Sequence, residues 1–318
     1  MKTYLNNLPL LILQLLLVGS PAFLAAQKTC TYNGQAASMK DHQWSCIAEW
    51  PLYASNRLML QGMDIWENTL VSLEHRGRAN IYDFNGRDCV FKGSFPLASH
   101  DDNNHANVAS FGTQKAHPDD PLPLLYVTRA SGAKMYDGWA RLVFVERIDP
   151  IHMKSELVQR ICLDVPKEFM AGATQWAIDK EQQFIYTFSN SIYNKAPNNR
   201  HIIQKFRIPP YRGAQDSLVV LTSKDALEEY YVEDYYNQPF KPIVQGMKVY
   251  DGILYLPTGG GSEESPSVLY VWDLGTRSMR NAVDMQRELP YEFEDCAWYN
   301  GYFYIQVGPH KLFKINFH

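Results

Sequence analysis

The sequence predicts an all-β chain folded as a five-bladed β-propeller in a single domain, 27–318. Three observations carry this: a recurring phrase, a polar turn at a fixed offset inside each recurrence, and a strand-like segment left over before the first unit. Gln61-Gly62-Met63-Asp64-Ile65-Trp66 returns as Gln245-Gly246-Met247-Lys248-Val249-Tyr250, and each copy leads into a turn and a second apolar strand. Repetition of this kind marks a repeat architecture, because one such unit cannot bury its apolar face alone.

Four units open at Gln61, Gln175, Gln245 and Glu294, and seven residues on lie Asn68, Gln182, Gly252 and Gly301. Asp251-Gly252 and Asn300-Gly301 are dipeptides suited to two-residue hairpins, whose central residues need positive φ. Second strands follow at Leu70–Leu73, Phe184–Phe188, Ile253–Leu256 and Tyr302–Ile305. Another unit opens at His105, with Val108–Phe111 as its first strand. Gly112–Pro123 swells its turn, and Leu124–Val127 is its second strand.

Third strands are expected at Ala79–Phe84, Ala140–Ile148, His201–Ile208, Val268–Leu274 and Lys311–Phe317. Fourth strands are expected near Cys89–Phe91, Leu157–Leu163, Leu218–Leu221 and Arg280–Asp284, and Asp225–Tyr231 reads as a short helical excursion. The last unit lacks a fourth strand, whereas Trp44–Trp50 has strand character and no unit. An N-terminal strand that completes the last blade closes the ring and protects the open sheet edges. About 290 residues then give about 60 per blade, within the range of four-stranded blades. No Gly/Ser-rich or Pro-rich linker divides the chain, which argues against a pair of smaller β domains.

Residues Leu8 to Leu24 form an apolar run preceded by Lys2, broken at Ser20-Pro21 and followed by Ala25-Ala26. That is the pattern of a secretory signal peptide, 1–26, and the expected compartment is therefore exported: periplasmic, cell-surface or secreted. The remaining chain has no span apolar enough for a bilayer. An exported compartment permits disulfides, and Cys30 with Cys46 would tie down the N-terminal segment. Cys89, Cys162 and Cys296 lie in or beside apolar strands and read as small buried hydrophobes.

A formal net charge of −4 with 20% charged residues gives no basic surface for nucleic acid. The 20 Tyr, 15 Phe and 7 Trp suit both blade packing and sugar binding. A monomer is expected, with a glycan or a cell-envelope protein as partner.

In a blade the first hairpin reverses direction, so the start of strand one and the end of strand two share a face. The openers Gln61, His105, Gln175, Gln245 and Glu294, with Asp295 beside the last, therefore converge on one mouth of the central channel. Loops after strand two surround that mouth, among them Glu74–Arg78, Arg129–Lys134 and Ser189–Arg200, and bring Arg76 and Arg129 to it. Amides and an imidazole read hydroxyls and carbonyls, whereas a carboxyl at Glu294 offers acid or base chemistry. Strand alternation prevents Glu74, His75 and Arg76 from sharing one pocket.

Asp101-Asp102-Asn103-Asn104-His105 is dense in oxygen ligands, and Ca²⁺ is the one cofactor considered there. It lacks the spacing of an EF-hand loop and reads as well as a solvated turn. No zinc-ligand, P-loop, G-x-S-x-G or H-E-x-x-H motif occurs, so no metal site or cofactor is assigned.

The Gln-Gly phrase before a hairpin, with later openers His105, Gln175-Trp176 and Glu294, resembles the secreted and phage-associated propellers termed teichoic-acid-biosynthesis protein C-like. The resemblance implies a propeller fold and export. Three function classes follow from the residues. The first is an exported propeller that holds a glycan or peptide segment at the channel mouth. The second is a glycan-active hydrolase or lyase with Glu294 as acid or base and His105 assisting. The third is a scaffold in an envelope complex.

Overall fold

The computed structural model describes residues 44–55, 59–130, 136–165, 171–191, 198–213, 216–234 and 238–317. The leader 1–26 and Cys30 lie outside them. The described residues contain strands and no helix, arranged as five small sheets. No helix among them is long and apolar enough to cross a membrane.

The first strand, β1 (Trp44–Pro51), belongs to the last blade. Blade one follows as β2 (Leu60–Trp66), β3 (Thr69–Glu74), β4 (Arg78–Phe84) and β5 (Cys89–Pro96). Blade two is β6 (Ala109–Phe111), β7 (Leu125–Thr128), β8 (Leu142–Asp149) and β9 (Lys154–Asp164). Blade three begins with β10 (Ala171–Asp179), β11 (Phe184–Asn190) and β12 (His201–Arg207), and the chain continues through β13 (Ser217–Thr222) and β14 (Glu228–Tyr231). Blade four is β15 (Lys248–Tyr250), β16 (Ile253–Thr258), β17 (Val268–Asp273) and β18 (Ser278–Asp284). Blade five holds β19 (Glu292–Tyr299), β20 (Tyr302–Gly308) and β21 (Lys311–Phe317).

The ring closes as the unpaired segment foretells. β1 pairs antiparallel with β21, from Trp44 opposite Phe317 to Pro51 opposite Lys311. Trp50 fastens the closure by packing against Phe84 and Tyr304 and donating its indole N–H to the Arg87 carbonyl at 2.9 Å. Both residues of Asp251-Gly252 and of Asn300-Gly301 have positive φ, as their hairpins demand.

Blade three departs from expectation. The segment near Leu218–Leu221 is not its outer strand: β13 leaves the blade and pairs in parallel with β9, as a fifth strand on blade two. The outer strand of blade three is β14, which falls where the sequence suggests a helix. Glu228-Glu229 favours helix locally, but tertiary partners override that preference. The Glu228 carboxylate lies between Lys205 and Arg277, Glu229 accepts from Gln204, and Tyr230 stacks on Trp272. Burial alternates along these four residues, the mark of a strand rather than a helix turn.

The core is divided among the blade interfaces. Five clusters of buried apolar side chains lie between successive blades, for example Val71, Ile81, Phe111 and Phe144 between blades one and two. Leu269, Val283, Phe293 and Phe303 do the same between blades four and five. Stacked neighbours bury the faces that single blades leave open.

Candidate functional site

The glycine of the repeated Gln-Gly phrase is a packing requirement at the axis. A Cβ on Gly62 would sit 2.7 Å from the Ala106 carbonyl oxygen and the Ala109 nitrogen of the next blade. At Gly246 it would collide with the Glu294 backbone. Inner strands therefore abut, and those of blades one, three and five break step with their partners near the opening residue. Pairing jumps from Leu60↔Glu74 to Met63↔Ser72 in blade one and from Phe293↔Val307 to Asp295↔Gln306 in blade five. Such bulges turn backbone groups away from the ladder.

Asp295 collects the groups so released. Its carboxylate accepts the backbone N–H of Met63 at 2.9 Å, Ala109 at 3.1 Å and Met247 at 3.3 Å, from blades one, two and four. Blade three joins through Thr128, whose hydroxyl accepts the Trp176 N–H. Deeper in the channel, Lys248 pairs with Asp64 at 3.2 Å and donates to the Ala109 carbonyl, while Asp64 accepts the Phe111 N–H. The space left there is about 10 Å³, room for about one water. Asp295 thus spends its oxygens on the frame. Complete burial pushes its carboxyl up to about 7, against the pull of Lys248 and the N–H donors.

These contacts also set the register of blade two. Ala109 takes the place of Met63 and Met247, so Asn107, two residues earlier, is the counterpart of Gln61 and Gln245. His105 lies further out, beyond a turn at Ala106 with φ of 52°.

Among blades two, three and four the mouth keeps a cavity of about 290 Å³. His105, Asn107, Gln175, Asn190, His201 and Gln245 supply its polar lining, and Phe188, Ile243 and Val244 its apolar walls. No charged side chain lines it among the described residues. The Gln175 amide nitrogen donates to the Val244 carbonyl at 2.8 Å, and that of Asn107 to the Gln245 carbonyl at 3.0 Å. A backbone carbonyl only accepts, so both amide orientations are determined. Asn107 Oδ1 and Gln175 Oε1 are left without a partner, on residues only 6% and 7% exposed.

His201 completes this set. It is 3% exposed, its ring stacks on Phe188 at 4.7 Å, and neither ring nitrogen has a hydrogen-bond partner. Burial, with Lys241 nearby, lowers its pKa to about 4. His105 packs edge-to-face on His75 at 5.0 Å, and burial followed by the His75 charge lowers it to about 4 as well. Both imidazoles are therefore neutral at physiological pH.

The other expected residues lie elsewhere. Gln61 is buried, and its backbone carbonyl accepts from Gln306 at 2.7 Å. Glu294 is 3% exposed and accepts no hydrogen bond among the described residues. Burial, then Glu292 and Asp295, push its carboxyl well above the usual range. It does not line the cavity that holds His105. Arg129 is fully buried and pairs with Asp101, while Arg76 pairs with Asp102 in solvent. Glu74 is held inside by Ser55 and Asn80, apart from His75 and Arg76. In the Asp101–His105 run, Asp101 also caps Asn103, and Asn104 bonds Ser99 and Ala106.

Asn107, Asn190 and His201 are the polar cavity residues that the repeat alone does not single out. Asn107 is hidden by a frame that counts from His105. His201 carries a usable signal, because it follows directly on the long loop Ser189–Arg200 at this mouth.

No protein-family model matches the chain, and no curated protein does. Among solved structures it is similar to Myxococcus xanthus glutaminyl cyclase, with a TM-score of 0.50 and 10% identity, over 87% of this chain and 97% of that one. It is also similar to the tail fibre of Staphylococcus aureus phage P68, with a TM-score of 0.50 and 12% identity, over 86% of this chain and 52% of that one. At such identities the likeness is one of fold. The chain is thus a propeller whose kinship with other propellers is architectural.

Proposed function

We propose that this protein is an exported binding propeller that holds a glycan or a peptide segment in the cavity among blades two, three and four. The observation that carries the reading is the cavity of about 290 Å³ at this mouth, where the uncharged polar side chains of His105, Asn107, Gln175, Asn190, His201 and Gln245 stand beside the apolar walls of Phe188, Ile243 and Val244. A concave, mostly apolar wall with a few polar groups is the usual form of a ligand site.

The test is a thermal-shift screen of the protein against glycans, cell-wall fragments and short peptides. A ligand at a hundred times its dissociation constant adds about 2.7 kcal/mol. The stabilisation should vanish in a Gln175→Ala/His201→Ala double variant. A hit that survives it places the site elsewhere.

A glycan-active hydrolase or lyase is the second reading, favoured by the Glu294 carboxyl, which is buried, has no hydrogen-bond partner among the described residues and is pushed by burial well above the usual carboxylate range. Unchanged turnover of a cognate substrate by Glu294→Gln would end it.

A further inference from the structure

We infer that the free edge of β13 pairs antiparallel with the β13 of a second copy, in a two-fold dimer joined through blade two. The strand is an addition to the propeller. It lies on β9 as a fifth strand, and no described strand lies on its other side. An open edge offers its N–H and C=O groups to any extended chain, and folded proteins guard such edges with charges, prolines or bulges. The other four outer edges are guarded in this way. β1 has Glu49, Pro51 and a bulge at Cys46–Ala48, and β5 has Lys92 and Pro96. β14 opens on Glu228-Glu229, and β18 carries Arg280 and a break in register. β13 reads Ser-Leu-Val-Val-Leu-Thr, with no charge, no proline and an unbroken register.

Its side chains divide by face. Val219 and Leu221 pack inward, against the cluster between blades two and three. Leu218 and Val220 stand on the opposite face, 42% and 40% exposed. Residues directly opposite in an antiparallel ladder share a face. With Val219 opposite its own copy, Leu218 of each chain meets Val220 of the other, and four exposed apolar side chains close into one patch.

Symmetry and charge select this arrangement. A two-fold axis across the strands reverses their direction and keeps Leu218 and Val220 of both copies on one face. An axis along the strands would put them on opposite faces. Asp216, held by Arg160 at 2.7 Å, precedes the strand, and Lys224 follows it. Antiparallel pairing brings Asp216 of one copy to the end where Lys224 of the other lies. Asp225 at that end is already bonded to Thr222. A strand of another protein would need neither match, so the edge is assigned to its own copy. Because the paired strands run in opposite directions, the two cavities open on opposite faces of the dimer.

One short ladder falls at the small end of specific interfaces, under about 1,200 Å², where association is weak. Sedimentation equilibrium on the full chain should therefore show a monomer–dimer equilibrium between about 10 µM and 1 mM. Leu218→Lys alone and Val220→Glu alone should each abolish the dimer. Melting temperature should move by less than about 2 °C, since both side chains are exposed. An equimolar mixture of the two variants should dimerise again, because the new ammonium of one copy then faces the new carboxylate of the other. The reversed pair, Leu218→Glu with Val220→Lys, serves if either variant does not fold.

A parent chain that stays monomeric up to about 1 mM overturns the proposal. So does a dimer that survives both single variants, which would place the interface elsewhere. Failure of the mixture to re-form would overturn it as well, by showing that the edge does not meet its own copy in this register.

Discussion

Asp295 accepts a hydrogen bond from the backbone N–H of Ala109, 186 residues earlier in the chain, at 3.1 Å. The same oxygen also accepts the Met63 N–H at 2.9 Å, so one carboxylate atom ties the inner strands of blades one and two to blade five. The other oxygen reaches blade four through Met247. An acidic residue at the mouth of a channel thus belongs to the frame, and the frame accounts for several of the predictions below.

Removing the Asp295 carboxylate leaves three N–H groups unpaired at the axis. Asp295→Ala should destabilise the protein by about 3 kcal/mol or more, read as a lower midpoint in urea unfolding. A loss under about 1 kcal/mol would mean that water replaces the carboxylate and that the hub carries little of the fold.

The pH dependence of that loss is also specified. The Asp295 pKa rises from 3.8 to about 7 on folding, so its contribution is fully present below about pH 4 and is lost as pH rises through 7. Each pKa unit corresponds to about 1.4 kcal/mol. His105 and His201 act in the opposite sense. Their pKa falls from 6.5 to about 4, so their contribution is present above pH 6.5 and is lost as pH drops towards 4. The stability gap between the parent and Asp295→Asn should therefore shrink as pH rises from 4 to 8, in parallel denaturation series. A gap that stays constant from pH 4 to 8 would show an Asp295 ionised across that range.

Neutral imidazoles predict a simple binding profile. Affinity for any neutral cavity ligand should be flat between pH 5 and 8 and fall only near pH 4, where His105 and His201 take up protons. Titration calorimetry across this range checks it. A step near pH 6.5 would place these rings in contact with solvent rather than inside the site.

Gly246 and Gly252 should respond differently to alanine. A methyl group at Gly246 meets the Glu294 and Asp295 backbone, which cannot give way, whereas nothing lies within 4 Å of one at Gly252. Gly246→Ala should cost about 3 kcal/mol or more through strand displacement. Gly252→Ala should cost about 1 kcal/mol, from its positive φ of 70° alone. Equal melting temperatures for the two variants would refute close packing at the axis.

Ring closure has its own test. Trp50 packs on Phe84 and Tyr304 across the join between blades one and five. Trp50→Ala should lower stability by about 2 kcal/mol, or about 4 °C in melting temperature. A shift under about 1 °C would mean that the β1–β21 ladder closes the ring without the side chain.

Much of this architecture is legible in the residues because it rests on local rules. Positive-φ dipeptides such as Asn300-Gly301 announce hairpins, and two apolar strands after each opener announce a blade. The spare segment 44–50 announces closure, since it supplies the fourth strand that the last unit lacks. The strands β13 and β14 are misread for the complementary reason. Which edge a strand joins is a property of the neighbouring blade: Leu218 lies beside Arg160 of β9, and Glu228 lies beside Lys205 of β12.

The site divides in the same way. The face, the channel mouth and the residues His105, Gln175 and Gln245 follow from the repeat, because position within a unit determines which end of a strand a residue occupies. The tertiary structure alone sends Asp295 to the frame and Arg129 to Asp101. It also substitutes Asn107 for His105 in the ring and brings His201 from a third strand beside them. Sequence spacing sets direction along one blade. Which polar atoms find partners depends on distances between blades, and those exist only once the ring has closed.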